Sequence, residues 1–240
     1  MSPFSPFSIH DPLNDGISSL RLLDYMGSSL DIVNDARQSF DAESPEFSSR
    51  DQKLLNYLVA HKHTSPFRGV VFKWHVKAPL FVARQWWKHV IGGNYANDQL
   101  GWNEKSFRYC SADDEQYYMP SQFREQSPSN KQASLGPLSP SRQAEAEAAY
   151  TQAIDAIKSA YKALLDAGVS KEQARGILPV CHYTSFTWTC SLQALLHFIS
   201  LRASPDAQGE IRAYADGLAN IAYSIVPEAF EAFYNNDSSF

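Results

Sequence analysis

The chain has 240 residues, 44% of them hydrophobic and 20% charged, a balance that suits one globular domain with a sizeable core. A formal net charge of −5 argues against indiscriminate nucleic-acid binding, because a polyanion is normally met by an excess of Lys and Arg on one surface. Any anionic ligand is therefore expected to be small and locally gripped.

In chain order, a Pro/Ser/Phe-rich leader (1–17) lacks the basic segment and apolar run of a secretion signal. No stretch of the chain approaches about 18 consecutive apolar residues, so a soluble, cytoplasmic protein without membrane contact is expected. SLRLLDYMG reads as a strand entering a turn. Ser28 or Ser29 then offers an N-cap for a helix whose Ile32, Val33 and Ala36 share a face. A second helix, about 49–61, starts from Ser49 and turns Leu54, Leu55 and Leu58 to one side. In FRGVVFKWHVKAP, Phe72, Trp74 and Val76 alternate with Lys73, His75 and Lys77, the period of a half-buried strand.

Pro79 suits the first turn of the next helix, where its missing N–H costs nothing. That helix carries RQWWKHVIGG. Gln85, Lys88 and His89 stand at helical spacing on one face, while Phe81, Val82 and Trp86 can face the core. Trp86 and Trp87 read as packing residues rather than stacking platforms. Helical character stops at Gly92 and Gly93, and 91–105 reads as a loop leading into WNEKSFRY. Residues 120–142, rich in Ser, Pro and Gln, read as a mobile connection. SRQAEAEAAYTQAIDAIKSAYKALLDAG is a long amphipathic helix with Gly168 as its C-cap, solvated and suited to an oligomer surface. ARGILPVCHYTSFTWT reads as extended, SLQALLHFISLR as a buried helix, and PDAQGEIRAYADGLANIAYSIV as a further long helix.

WNEKSFRY concentrates a carboxylate, a hydroxyl, a guanidinium and a phenol. Ser106 and Arg108, two residues apart, can both reach one phosphate, the arginine as a charged fork and the serine as a donor. Cys110, Cys181 and Cys190 lack the spacing of a disulfide or zinc framework and read as reduced thiols. His61 and His63, two apart at a helix end, are poorly placed to share a metal, and no metal site is expected. His75 and His182 are open to either a structural or a functional role.

HTSPFRGVVFKWHVKAPLFVARQWWKH followed by WNEKSFRY is similar to the signature region of flavin-dependent thymidylate synthases, in which an Arg-His-Arg triplet precedes a serine. ARGILP, HFISLR, DAQGEIRAYA and the closing VPEAFEAF resemble the C-terminal half of that family, so the likeness runs from about residue 20 to 233. The triplet stands here as Lys88-His89-Val90, and the loop 91–105 is longer than the family's usual one. The resemblance implies an α+β fold, a single catalytic domain (18–240) with a mixed or antiparallel sheet flanked by long helices. It also implies a homotetramer whose active sites are shared between subunits.

Carried over position by position, Gln85, Lys88, Glu104, Ser106, Phe107, Arg108, Arg175 and Arg202 match residues that contact dUMP. Arg202 matches the catalytic arginine that looks onto the pyrimidine and favours its ionised N3. Ser39, His63, Ser65, Lys88, His89, Val90, Ser191, Gln193 and His197 match residues that contact FAD. Ser191 stands where Asn is common, Gln193 where Arg can occur and Asp206 where His is often found. The charge lost at Val90 and Gln193 can be replaced by Lys73 or Arg68. The implied reaction is reductive methylation of dUMP, with 5,10-methylenetetrahydrofolate donating the carbon and NADPH reducing FAD, whose hydride completes the methyl group. Alternatives are C5 modification of another uridine nucleotide, such as UMP methylation or hydroxymethylation, and a flavin- and nucleotide-binding relative that has lost catalysis. LPVCHYTSF superficially resembles the Pro-Cys-His context of the unrelated cysteine-dependent thymidylate synthases, a likeness that the surrounding chain does not share.

Overall fold

The computed structural model describes residues 8–92, 99–112, 116–131 and 134–236. Its frame is a five-stranded sheet, order β1-β2-β3-β7-β4, formed by β1 (Ser8–His10), β2 (Ser19–Met26), β3 (Val71–Pro79), β7 (Tyr183–Ser191) and β4 (Gln99–Glu104). Every pairing is antiparallel, which settles the expected mixed-or-antiparallel sheet. The short β1 adds to the sheet from within the leader.

Alternation decides which face of the sheet is covered. On β3, Phe72, Trp74 and Val76 are fully buried and lie opposite Cys190, Trp188 and Phe186 of β7. Against them packs α3 (Leu80–Gly92), whose Trp86 meets Phe186 and Trp188 edge-on, both at 5.3 Å between ring centroids. Phe198 of α6 (Leu192–Arg202) closes on the same indole at 4.7 Å. Together with α7 (Gly209–Tyr223) and α8 (Pro227–Asn235), these elements bury one continuous apolar core.

Capping follows the expected chemistry with small displacements. Ser28 caps α1 (Ser29–Arg37) by accepting from the Asp31 N–H. The cap of α2 (Ser49–Ala60) is Ser48 rather than Ser49, because Asp51 reaches back to the Ser48 backbone in a capping box. Pro79 closes β3 instead of opening α3. The long helix is α4 (Pro140–Asp166), followed by Gly168 at φ +82°, the left-handed conformation that glycine adopts without steric cost. Only Ile154 and Tyr161 of α4 are buried, each in a satellite cluster apart from the main core.

Several expected loops carry order. The stretch read as loop 91–105 contains the edge strand β4, because β7 offers a free edge whose backbone groups need partners. Gly93 lies outside the described residues. The stretch read as a mobile connection holds a small hairpin of β5 (Arg124–Gln126) and β6 (Ser134–Pro137). ARGILP is a helical turn rather than extended chain: α5 (Lys171–Ala174) runs into a 3-10 turn over Arg175–Ile177, and extension begins later at β7. The final long helix starts at Gly209, since the preceding residues form the connection from α6.

Candidate active site

The residues carried over from the resemblance fall into three neighbourhoods. The first joins α3 to α6. Arg202, at the end of α6, donates from Nε to Nε2 of His89 at 2.8 Å. The rings of His89 and His197 lie 6.1 Å apart, and Phe198 is edge-on to His89 at 5.0 Å. Burial, then the charge of Arg202, then His197, lowers the His89 pKa from 6.5 to about 4. His89 is thus a neutral imidazole near pH 7, accepting at Nε2 and carrying its proton on Nδ1. Burial also lowers the pKa of Arg202, which keeps its charge all the same. Gln85, one turn before His89 on α3, donates from Nε2 to Oε1 of Gln208 at 2.5 Å. Lys88 is exposed, and Val90 packs against the core.

The second neighbourhood sits beyond β4. Glu104 accepts from Oγ1 of Thr184 at 2.8 Å on one carboxylate oxygen and from Nε1 of Trp102 at 3.2 Å on the other. Both oxygens keep a lone pair for a further donor. The chain then turns at Ser106, whose carbonyl accepts from the N–H groups of Tyr109 and Cys110. Phe107 anchors this turn in a buried cluster with Ala112, Tyr161 and Ala174, and its ring is 4.5 Å from that of His182. Arg108 is 52% exposed, faces the rim carboxylate of Glu172 at 3.8 Å and lies over the Tyr109 ring at 5.9 Å from its centroid. Arg175 donates from Nε to the Glu172 carbonyl at 3.3 Å. Ser106, Arg108 and Arg175 therefore form a cationic rim around an anchored turn.

The third neighbourhood surrounds a 3-10 turn over Ser65–Arg68. Gln193, fully buried at the start of α6, accepts at Oε1 from Nε of Arg68 at 2.8 Å, while its Nε2 has no partner among the described residues. Arg68 thus brings a guanidinium to the position where Gln193 lacks one. Lys73 points away on the exposed side of β3. His63 and Ser65 are exposed, with the His63 ring 5.9 Å from that of Tyr57, and Ser39 is exposed in the turn after α1. Ser191 is buried and its hydroxyl is committed to the N-cap of α6, accepting from the Ala194 N–H at 3.1 Å. Asp206 is exposed on the α6–α7 connection.

Trp102, Thr184 and Gln208 join the site although they are not among the residues expected from sequence. Thr184 and Gln208 each act on an expected residue across a tertiary contact, so no local spacing announces them, whereas Trp102 stands two positions from Glu104 on the same strand. Trp86 is core as expected, but Trp87 is 38% exposed and faces Trp102 at 5.2 Å, lining a groove of about 320 Å³ beside Glu104. Cys181 and His182 are both buried. His182 lies between the rings of Phe107 and Tyr117, and burial, then Lys105, lowers its pKa to about 4. That environment suits a packing histidine. Among the described residues, no group of three or more His, Cys, Asp or Glu could hold a metal, and no helix is long and apolar enough to cross a membrane.

The family model described as "Thymidylate synthase complementing protein" matches residues 21–228. The chain belongs to this family. Among its curated relatives, the flavin-dependent thymidylate synthase of Thermus thermophilus is 45% identical over 214 residues, covering 89% of this chain and 74% of the relative. That of Thermosipho africanus is 40% identical over 223 residues, covering 89% of this chain and 90% of the relative. Among solved structures, the UMP/dUMP methylase PolB of Streptomyces cacaoi, bound to 5-bromo-dUMP, superposes with a TM-score of 0.80. It is 29% identical and covers 92% of this chain and 96% of its own. A member of the flavin-dependent thymidylate synthase family is an enzyme of the methyltransferase type, and the three neighbourhoods of side chains fall within the matched span.

Proposed function

We propose that this family member reductively methylates dUMP to dTMP with 5,10-methylenetetrahydrofolate as carbon donor and FAD and NADPH as the source of hydride. The observation that carries the reading is the contact between Arg202 and His89, which joins the matched catalytic arginine to the surviving histidine of the triplet. FAD fits the residues present. The unpartnered Nε2 of buried Gln193 and the guanidinium of Arg68 beside it suit a polar, anionic group, with His63, Ser65 and Ser39 on the accessible side. Bound there, FAD reduced by NADPH supplies the hydride that converts the transferred one-carbon unit to a methyl group.

The chain's own residues bind and polarise. Ser106, Arg108 and Arg175 hold the nucleotide phosphate, and Lys88 adds charge. Glu104, fixed by Thr184 and Trp102, accepts from the ribose hydroxyl. Arg202 keeps its terminal nitrogens for the pyrimidine, because neutral His89 takes only its Nε proton. A guanidinium in a partly desolvated site stabilises negative charge on the ring, which makes C5 the nucleophile without a protein thiol. The reading includes a homotetramer in which the phosphate rim of one subunit serves the Arg202 side of another.

UMP is the second candidate substrate. It is favoured by the likeness to PolB, which has also been solved with 5-bromo-UMP and there is 28% identical to this chain with a TM-score of 0.78. The test is anaerobic turnover of the purified protein with NADPH and methylenetetrahydrofolate, offering dUMP or UMP and reading the product by mass. Formation of dTMP supports the synthase. Methylation of UMP in preference moves the assignment to the second candidate, and flavin binding without either product refutes both.

A further inference from the structure

We propose that Arg68 is the residue of this chain that meets the phosphates of the flavin cofactor, and that Gln193 is the positioning residue that holds its guanidinium. The inference rests on the reading above, in which FAD binds beside the 3-10 turn over Ser65–Arg68. That turn packs against both α1 and α6. Two residues beyond it, the Val70 carbonyl accepts from the Leu192 N–H at 2.7 Å, which ties the chain after the turn to the start of α6.

Gln193 stands in the first turn of α6, fully buried, and its Oε1 accepts from Nε of Arg68 at 2.8 Å. A primary amide can in general turn either end to a neighbour, but a guanidinium only donates, so the chemistry of this pair sets Oε1 toward Arg68. The bond is made through Nε, at the root of the planar fork. It therefore holds the plane in which the guanidinium lies.

The two residues divide charge and burial between them. A charged group at the buried position of Gln193 would be stripped of water, whereas Arg68 is exposed on the turn and keeps its charge hydrated. A neutral carboxamide beneath it aligns the guanidinium without cancelling its charge. In oxidised FAD the isoalloxazine and adenosine parts are neutral and the charge sits on the pyrophosphate, so a guanidinium that faces this cofactor finds its partner there.

Titrating the flavin-free protein with FAD and with riboflavin, which has the same ring and no phosphate, tests this by flavin fluorescence. Arg68→Gln is expected to weaken FAD about tenfold and to leave riboflavin within about twofold, the loss of one charge-assisted contact. Gln193→Met, which keeps the bulk without the acceptor, is expected to weaken FAD about threefold in the parent and no further in the R68Q background, because it then has no guanidinium to hold. Unchanged FAD binding by R68Q, or equal weakening of FAD and riboflavin, overturns the phosphate contact. An equal loss from Q193M with and without Arg68 overturns the positioning role in favour of packing. If the parent protein binds neither flavin, the FAD reading beneath the inference fails. If the parent binds FAD and R68Q matches it, the inference alone fails.

Discussion

The Nε of Arg202 donates to Nε2 of His89 at 2.8 Å, joining side chains 113 positions apart in the chain. The contact aligns the guanidinium and leaves a neutral ring behind it. Arg202→Met is therefore expected to lower kcat by about 10²-fold, the usual cost of removing one preorganised charge donor, while flavin binding persists. Steady-state turnover combined with the visible flavin spectrum checks both halves.

The neutral ring carries a pH signature. His89 has a folded-state pKa of about 4 against an ordinary 6.5, and His182 behaves alike. A histidine whose pKa is depressed on folding contributes full stability above its unfolded pKa, and that contribution is lost as pH falls through 6.5 toward 4, because the unfolded state binds the extra proton. Urea midpoints measured across this window should fall with acidification, and His89→Gln should flatten part of the slope. An unaltered slope in H89Q would assign the dependence elsewhere.

Gly69 follows the 3-10 turn over Ser65–Arg68, on which the proposed flavin site rests. A Cβ placed there would meet Oδ2 of Asp35 at 2.4 Å, closer than real contacts allow. Because that oxygen is the exposed end of a side chain that can turn away, and the next atoms stand 3.6 Å off, Gly69→Ala should cost about 1 kcal/mol or less and leave the turn that carries Ser65 and Arg68 in place. Asp35→Ala in the same chain should remove most of that cost, measured by thermal unfolding, and bound-flavin content checks that the turn stays in place.

Arg108 and Glu172 make the opposite case. Their separation of 3.8 Å and the exposure of both ends place this ion pair among those contributing little to stability. Glu172→Gln should leave the unfolding midpoint unchanged and keep or improve dUMP affinity, while Arg108→Met should raise the KM for dUMP by about tenfold or more through loss of a charge-assisted phosphate contact. Calorimetric titration with dUMP and with deoxyuridine, which lacks the phosphate, separates the two effects.

Trp86 sets the stability of the frame. Fully buried between Phe186, Trp188 and Phe198, it should cost about 3–5 kcal/mol when truncated to alanine, whereas Trp87→Ala, at a half-open groove, should cost much less. Denaturant unfolding of the two variants gives the comparison directly.

The sequence alone determined the periodic elements. Alternation along FKWHV specified β3, helical spacing placed Gln85, Lys88 and His89 on one face of α3, and Gly168 marked the end of α4, because each depends on residues within a few positions of one another. The signature residues also named the family, since their types and order survive where the triplet has changed. Only the tertiary structure decided the rest. The edge strand β4 has no strong pattern of its own and forms because β7 needs a partner. Gln193 reads as a loss of charge until Arg68, 125 positions away, is seen to lie against it. Glu104 gains the support of Thr184, and Gln85 meets Gln208, through hydrogen bonds whose partners only the packing of sheet and helices brings within reach, while Trp102 supports Glu104 from within the same strand.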